Sequence, residues 1–208
     1  WDQKRSFLAR LGSGSAARSL QGPMMLWGEH AAFDGSSNDY AIPFEDGLNP
    51  IFQDYQDCIL LVDKGQKKVS STLGHGLMEG HPYAVARFEQ AHRHTQELAN
   101  ALQSGDLEAF IRITESEALT LHAMMQTSQP YFILMRPNTL HIIEALWAYR
   151  QDTQIPLCFT LDAGANVHLL YPKQYADKIL SFVKDQLLTY CQAGEYLLDS
   201  VGQGAKKL

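Results

Sequence analysis

With 208 residues, 45% of them hydrophobic, the chain can form one large domain, or one domain and part of another, around a buried core. A net charge of −6 excludes a general nucleic-acid surface, although a local basic pocket remains compatible with it. No apolar run is long enough to span a bilayer. The three cysteines, Cys58, Cys158 and Cys191, are odd in number, far apart and lack Cys-x-x-Cys spacing, so neither a disulfide framework nor a zinc knuckle is indicated. They read as reduced thiols of a cytoplasmic protein.

In chain order, Gly12 to Ser19 comes first (Gly-Ser-Gly-Ser-Ala-Ala-Arg-Ser). Leu20 to Gly28 reads as a buried strand, Asp34 to Asp39 as an exposed loop, and Tyr40 to Phe44 as a short strand. Cys58 to Val62 is a compact apolar run and predicts a strand. Lys64-Gly65 opens a turn, and Ser70 to Gly76 reads as a polar loop. The period then changes. Tyr83, Ala86, Phe88, Ala91, Leu98 and Leu102 recur at helical spacing, ending near Ser104-Gly105.

Asp106 is placed to cap the next helix, whose apolar side carries Leu107, Phe110, Ile111, Ile113 and Leu121 and which stops before Pro130. Asn138 to Arg150 predicts a third helix with Ile142, Ile143, Leu146 and Trp147. Leu157 to Leu161 and Val167 to Tyr171 read as a hairpin. A last helix runs from Lys173 to about Cys191, burying Ile179, Phe182, Val183 and Leu187. Helices packed on a mostly antiparallel sheet give an α+β class.

Two motifs carry chemistry. Glycines let a backbone bring its N–H groups close to a ligand, Ser13 and Ser15 add hydroxyl donors, and Arg18 supplies a planar two-pronged cation. The same stretch also reads as a flexible turn capping a helix. Leu161-Asp162-Ala163-Gly164-Ala165-Asn166 puts one carboxylate at the end of an apolar run, where it is either a catalytic acid or a turn cap. The eight histidines give no metal motif. His92 and His94 point different ways on a helix, and His122, on an apolar helix, reads as a hydrogen-bonded core or interface residue. Gly202 to Lys207 lacks phosphate-loop spacing and reads as a frayed terminus.

Gly-Ser-Gly-Ser-Ala-x-Arg-Ser followed by Asp-Ala-Gly-x-Asn, with Lys67-Lys68-Val69-Ser70-Ser71-Thr72 between them, resembles the diphosphomevalonate decarboxylases. These belong to the galactokinase, homoserine kinase, mevalonate kinase and phosphomevalonate kinase superfamily. The resemblance covers the whole chain but only the later part of such an enzyme. It implies a ferredoxin-like C-terminal α+β domain over residues 56–208 and the tail end of an N-terminal domain over 1–55. It also implies that the family's substrate-binding lysine and tyrosine and its nucleotide loop precede Trp1, so that this piece alone is inactive.

The activity implied is a lyase step of the mevalonate pathway in isoprenoid and sterol biosynthesis. Mevalonate 5-diphosphate and ATP become isopentenyl diphosphate, carbon dioxide, ADP and phosphate. Asp162 takes the place of the family's essential acid. Arg18, with its fork matching a carboxylate, takes the C1 carboxylate of the substrate, and Ser13 and Ser15 donate to the same molecule. Ser71 and Thr72 match a loop near the diphosphate, while Lys67 and Lys68 either enrich the cation field or are simply solvated. Mg2+ enters with ATP, with no metal site on this chain. A homodimer is expected, with neither nucleic acid nor membrane as partner. The rivals are a mevalonate or phosphomevalonate kinase, a monophosphate-specific decarboxylase, and a non-catalytic ligand-binding or dimerisation module using the two apolar helices.

Overall fold

A face of buried apolar side chains shared by three strands organises the larger of two units in this chain. In the computed structural model, which describes residues 2–44, 47–65 and 76–205, the chain divides into two compact units. The first holds Trp1–Gln53, Leu102–Gly105 and Val201–Leu208; the second holds Asp54–Ala101 and Asp106–Ser200.

The first unit begins with helix α1 (Asp2–Gly12), which the sequence reading did not anticipate, and continues into a five-residue 3-10 turn, Gly14–Arg18. Strands β1 (Met25–Trp27) and β2 (Ala41–Pro43) pair antiparallel, with Leu26 opposite Ile42. The long buried strand expected over Leu20 to Gly28 is therefore three residues, and its last residue, Trp27, is exposed. Buried Ser6 joins these pieces. Its hydroxyl donates to the Ala17 carbonyl at 2.9 Å and accepts from the Ala41 amide at 2.8 Å, linking helix, turn and strand.

Of the tail expected to fray, residues 202–205 run against Leu20 and Gln21, where the Ala205 amide donates to the Leu20 carbonyl, and Lys206 and Lys207 lie outside the described residues. Gly204, at φ +77°, makes this possible, since a Cβ there would meet the Gln21 backbone at 2.8 Å.

The second unit is built on β3 (Tyr55–Leu60), β4 (Cys158–Leu161), β5 (Val167–Pro172) and β6 (Tyr196–Ser200), in the order β4-β5-β3-β6 and antiparallel throughout. Helices α2 (Ala84–Ser104), α3 (Leu107–Thr127) and α4 (Pro137–Thr153) connect β3 to β4. Helix α5 (Ala176–Phe182) leads from β5 towards β6. Two interleaved β-α-β crossovers around a hairpin are the ferredoxin-like arrangement, and the class is α+β.

Cys58, Leu60, Phe159, Leu161, Val167, Leu169 and Tyr171 share one sheet face. They form a single core with Ala118, Ile142, Ile143, Leu146, Ile179, Phe182, Val183 and Leu187. The last helix is not uniform: after α5 it widens into a π turn over Val183–Leu187 and tightens into a 3-10 turn over Leu188–Tyr190. Steps of four residues over-rotate an α-helix by roughly 40° each. The wider turn offsets this drift, so Val183 and Leu187 both stay in the core.

Asp106 caps α3, its carboxylate accepting from the Ala109 amide at 2.9 Å. Helix α2 forms as expected, but Tyr83 and Phe88 of its apolar stripe are exposed. It also meets α3 through polar groups. Glu117 accepts from Arg87, Gln90 and His94, and these partners outweigh the burial that opposes its charge, holding its carboxyl below the usual range.

Ser6→Ala leaves the Ala17 carbonyl and Ala41 amide without their buried partner. A loss of about 1–3 kcal/mol is expected in urea unfolding monitored at Trp27.

Candidate active site

Ser13, Ser15 and Arg18 lie together in the first unit, all exposed. Ser13 is extended (φ −155°, ψ 126°) and precedes the 3-10 turn without capping it through its side chain. The turn is held by backbone bonds, Ala16 amide to Ser13 carbonyl at 2.9 Å and Ser19 amide to Ala16 carbonyl at 3.1 Å, with Ala17 wholly buried beneath it. Gly14 lies against the Trp27 ring, where a Cβ would approach to 3.3 Å. Buried Ala17 and Gly14 thus anchor a short segment whose serine hydroxyls and guanidinium face outward. The helix N-terminus expected at this motif is a single five-residue turn, and the longer helix precedes it.

Asp162 belongs to the second unit, at the start of the loop 162–166 that joins β4 to β5, and is exposed. Its backbone carbonyl closes the turn, accepting from the Gly164 amide at 2.8 Å and from His122 Nε2 at 3.1 Å. At the far end, Thr139 Oγ1 donates to the Ala165 carbonyl at 2.7 Å while accepting from the Arg136 amide at 3.0 Å. Asn166 Oδ1 accepts from the Asp63 amide at 3.0 Å, and the Asp63 carboxylate pairs with Arg136. The loop that presents the acid is therefore fixed from α3, from α4 and from the chain just after β3.

Lys67, Lys68, Ser71 and Thr72 lie outside the described residues. Of the histidines weighed as ligands, His94 pairs with Glu117 and His122 is buried against the Asp162 carbonyl. The three cysteines are buried free thiols. Burial pushes Cys58 up to about 12 and Cys191 up to about 11, which leaves them protonated and poor nucleophiles.

Residues 58–203 match the family model of the mevalonate 5-diphosphate decarboxylase C-terminal domain. The chain belongs to this family. It is 25% identical over 181 residues to the phosphomevalonate decarboxylase of Haloferax volcanii, covering 86% of this chain and 53% of that protein. The chain thus spans about half the length of that curated relative.

Among solved structures it resembles the mevalonate diphosphate decarboxylase of Staphylococcus aureus, with 28% identity and a TM-score of 0.81 over 98% of this chain and 59% of the other. It shares the fold of MDDEF, solved in complex with MVAPP, AMPPCP and magnesium, at 24% identity and a TM-score of 0.84, covering 98% of this chain and 60% of that one.

Three features of this family member were not legible as site features in the sequence: Ser6, the Thr139–Arg136–Asp63 chain of bonds, and an ion pair on the sheet face opposite the core. There His168, diagonal across β5 and β3 from Asp57, places Nδ1 2.7 Å from its carboxylate. The Asp57 hydrogen bond, aided by the charges of Asp57, Asp162 and Asp199 and opposed by burial, raises the His168 pKa above 6.5. An alternation of polar residues within an apolar strand was the available signal.

A histidine raised in the folded state adds stability that is full below its unfolded value and is lost as pH rises through the folded value. The stability difference between the natural chain and His168→Gln is expected to be on the order of 1 kcal/mol at pH 5.5 and to shrink above neutrality. Urea unfolding across that pH range measures it.

Proposed function

We propose that the protein carrying this chain is an ATP-dependent decarboxylase acting on mevalonate 5-diphosphate, with the chain supplying the acid and part of the substrate grip. The observation that most supports this reading is the match of residues 58–203 to the decarboxylase C-terminal domain. An outward-facing Arg18 with Ser13 and Ser15 beside it, and an exposed Asp162 on a pinned loop, supply the matching chemistry.

The tertiary hydroxyl of the substrate is a poor leaving group until ATP phosphorylates it; loss of that phosphate and of carbon dioxide then leaves the alkene of isopentenyl diphosphate. Asp162 orients the hydroxyl, accepts its proton and faces the carbon that becomes electron-poor. Arg18 holds the departing carboxylate by two parallel hydrogen bonds, and the serine hydroxyls donate to the same molecule. Ser71 and Thr72 remain the proposed diphosphate contacts.

ATP and Mg2+ are proposed as co-substrate and ion. Among the described residues no group of three or more His, Cys, Asp or Glu side chains could hold a metal ion. Among the described residues no helix is long and apolar enough to cross a membrane. Buried free thiols support a cytoplasmic setting. A homodimer belongs to the same reading, supported by the exposed apolar side chains Tyr83, Val85 and Phe88 near the start of α2.

A second reading, decarboxylation of the monophosphate, is favoured by the similarity to the Haloferax enzyme. Carbon dioxide release by the full-length protein, with ATP and each substrate in turn, separates the two. With the preferred substrate, Asp162→Asn should cut turnover about a hundredfold while leaving the melting temperature unchanged. Arg18→Lys keeps the charge but loses the fork, so turnover should fall while ATP affinity changes little. Activity that merely tracks folded protein in Asp162→Asn would remove Asp162 from catalysis.

A further inference from the structure

We infer that His122 is a positioning residue, holding the Asp162 end of the β4–β5 loop, and with it the direction of the catalytic carboxylate, through the Asp162 backbone carbonyl. The inference rests on the reading of Asp162 as the catalytic acid and deepens it.

His122 lies on α3 with 1% of its surface exposed, and its Nε2 is 3.1 Å from the Asp162 carbonyl oxygen. A carbonyl only accepts, so Nε2 carries the proton and donates. Burial lowers the His122 pKa, against smaller opposing effects of the Asp162 carbonyl and charge, which keeps the ring uncharged at neutral pH. The same carbonyl also takes the Gly164 amide, so both its lone-pair directions are engaged.

Leu161, the last residue of β4 and paired with Val167, holds the peptide plane that enters Asp162, and fixing the carbonyl holds the planar unit that leaves it; together they set φ and ψ at Asp162 and hence the direction of its Cα–Cβ bond. Only the side-chain torsions of the acid remain to be set. Thr139 and Asn166 hold the other end of the loop, so loss of His122 frees the end that carries the acid. A leucine would fill the same space without the donor.

In the full-length protein, His122→Leu should lower kcat about 10- to 100-fold. Its KM for the substrate should stay within about twofold, because the groups that bind the substrate are untouched. Exchange of the Gly164 amide, which is bonded to the Asp162 carbonyl, should quicken about tenfold while exchange in α4 stays unchanged. His122→Gln carries an amide nitrogen near the position of Nε2 and should recover most of the activity; His122→Asn, too short to reach, should not.

If His122→Leu fails to fold, the Gln and Asn variants decide the matter between them. Equal activity in these two, a kcat loss that tracks the folded fraction, or unchanged exchange in the loop overturns the inference. Should Asp162→Asn turn over normally, the catalytic reading falls by itself, and the loop exchange still reports whether His122 holds the loop.

Discussion

Strand β3 is paired along both edges, with β5 on one side and β6 on the other, and the second unit depends on that double pairing. Because side chains alternate between faces, the register places Cys58 and Leu60 in the core beside Leu169 and Val167 and sends Asp57 and His168 to the opposite face. A slip of one residue would reverse both assignments and bury the ion pair. The same register brings the end of β3 level with the start of β5, so that the Asp63 amide reaches the Asn166 side chain. Apolar alternation and loop geometry are thus two consequences of one alignment.

Polar contacts do the finer placement. The Glu115 carboxylate, itself buried, takes both arms of Arg150 and the Trp147 indole N–H, and Arg150 also donates to the Leu157 carbonyl. This ties α3 to α4 and to the segment entering β4. Bidentate pairs of this kind fix relative orientation where a purely apolar contact would tolerate sliding. From α3 and α4 so held, His122 and Thr139 reach the two ends of the acid-bearing loop. Asp162 is exposed, yet the backbone of its loop is specified by buried side chains. The proposed role of Asp162 has use for that division, since a reacting group must be accessible and still hold its direction.

Much of the second unit was legible from sequence because its elements are long and periodic. The Asp106 cap, the core positions of α4 and α5, and the hairpin of β4 and β5 all follow from spacing and turn residues. Strand β6 was missed because Tyr196-Leu197-Leu198-Asp199-Ser200 does not alternate, and both leucines are exposed on an edge strand. Helix α1 was missed because its apolar residues are few and half of it faces water; Leu8 and Leu11 are exposed, and a serine makes its buried contact. The chemical motifs were readable as motifs, since glycine, serine, arginine and aspartate each have a local reason to be there. Of their supports, Ser6 and Thr139 carry no local signal, whereas His122, on an apolar helix, was readable as a hydrogen-bonded core residue and only its partner, the Asp162 carbonyl, was not.

The proposed function has Arg18 and Asp162 serve one reaction on one substrate. A double-mutant cycle in the full-length protein, combining Arg18→Lys with Asp162→Asn and reading kcat/KM for decarboxylation, tests it most directly. Groups acting on the same transition state are strongly non-additive, so the double variant should be at least about tenfold more active than the product of the two single losses predicts. Losses that multiply would mean the two residues act independently, and would contradict the account.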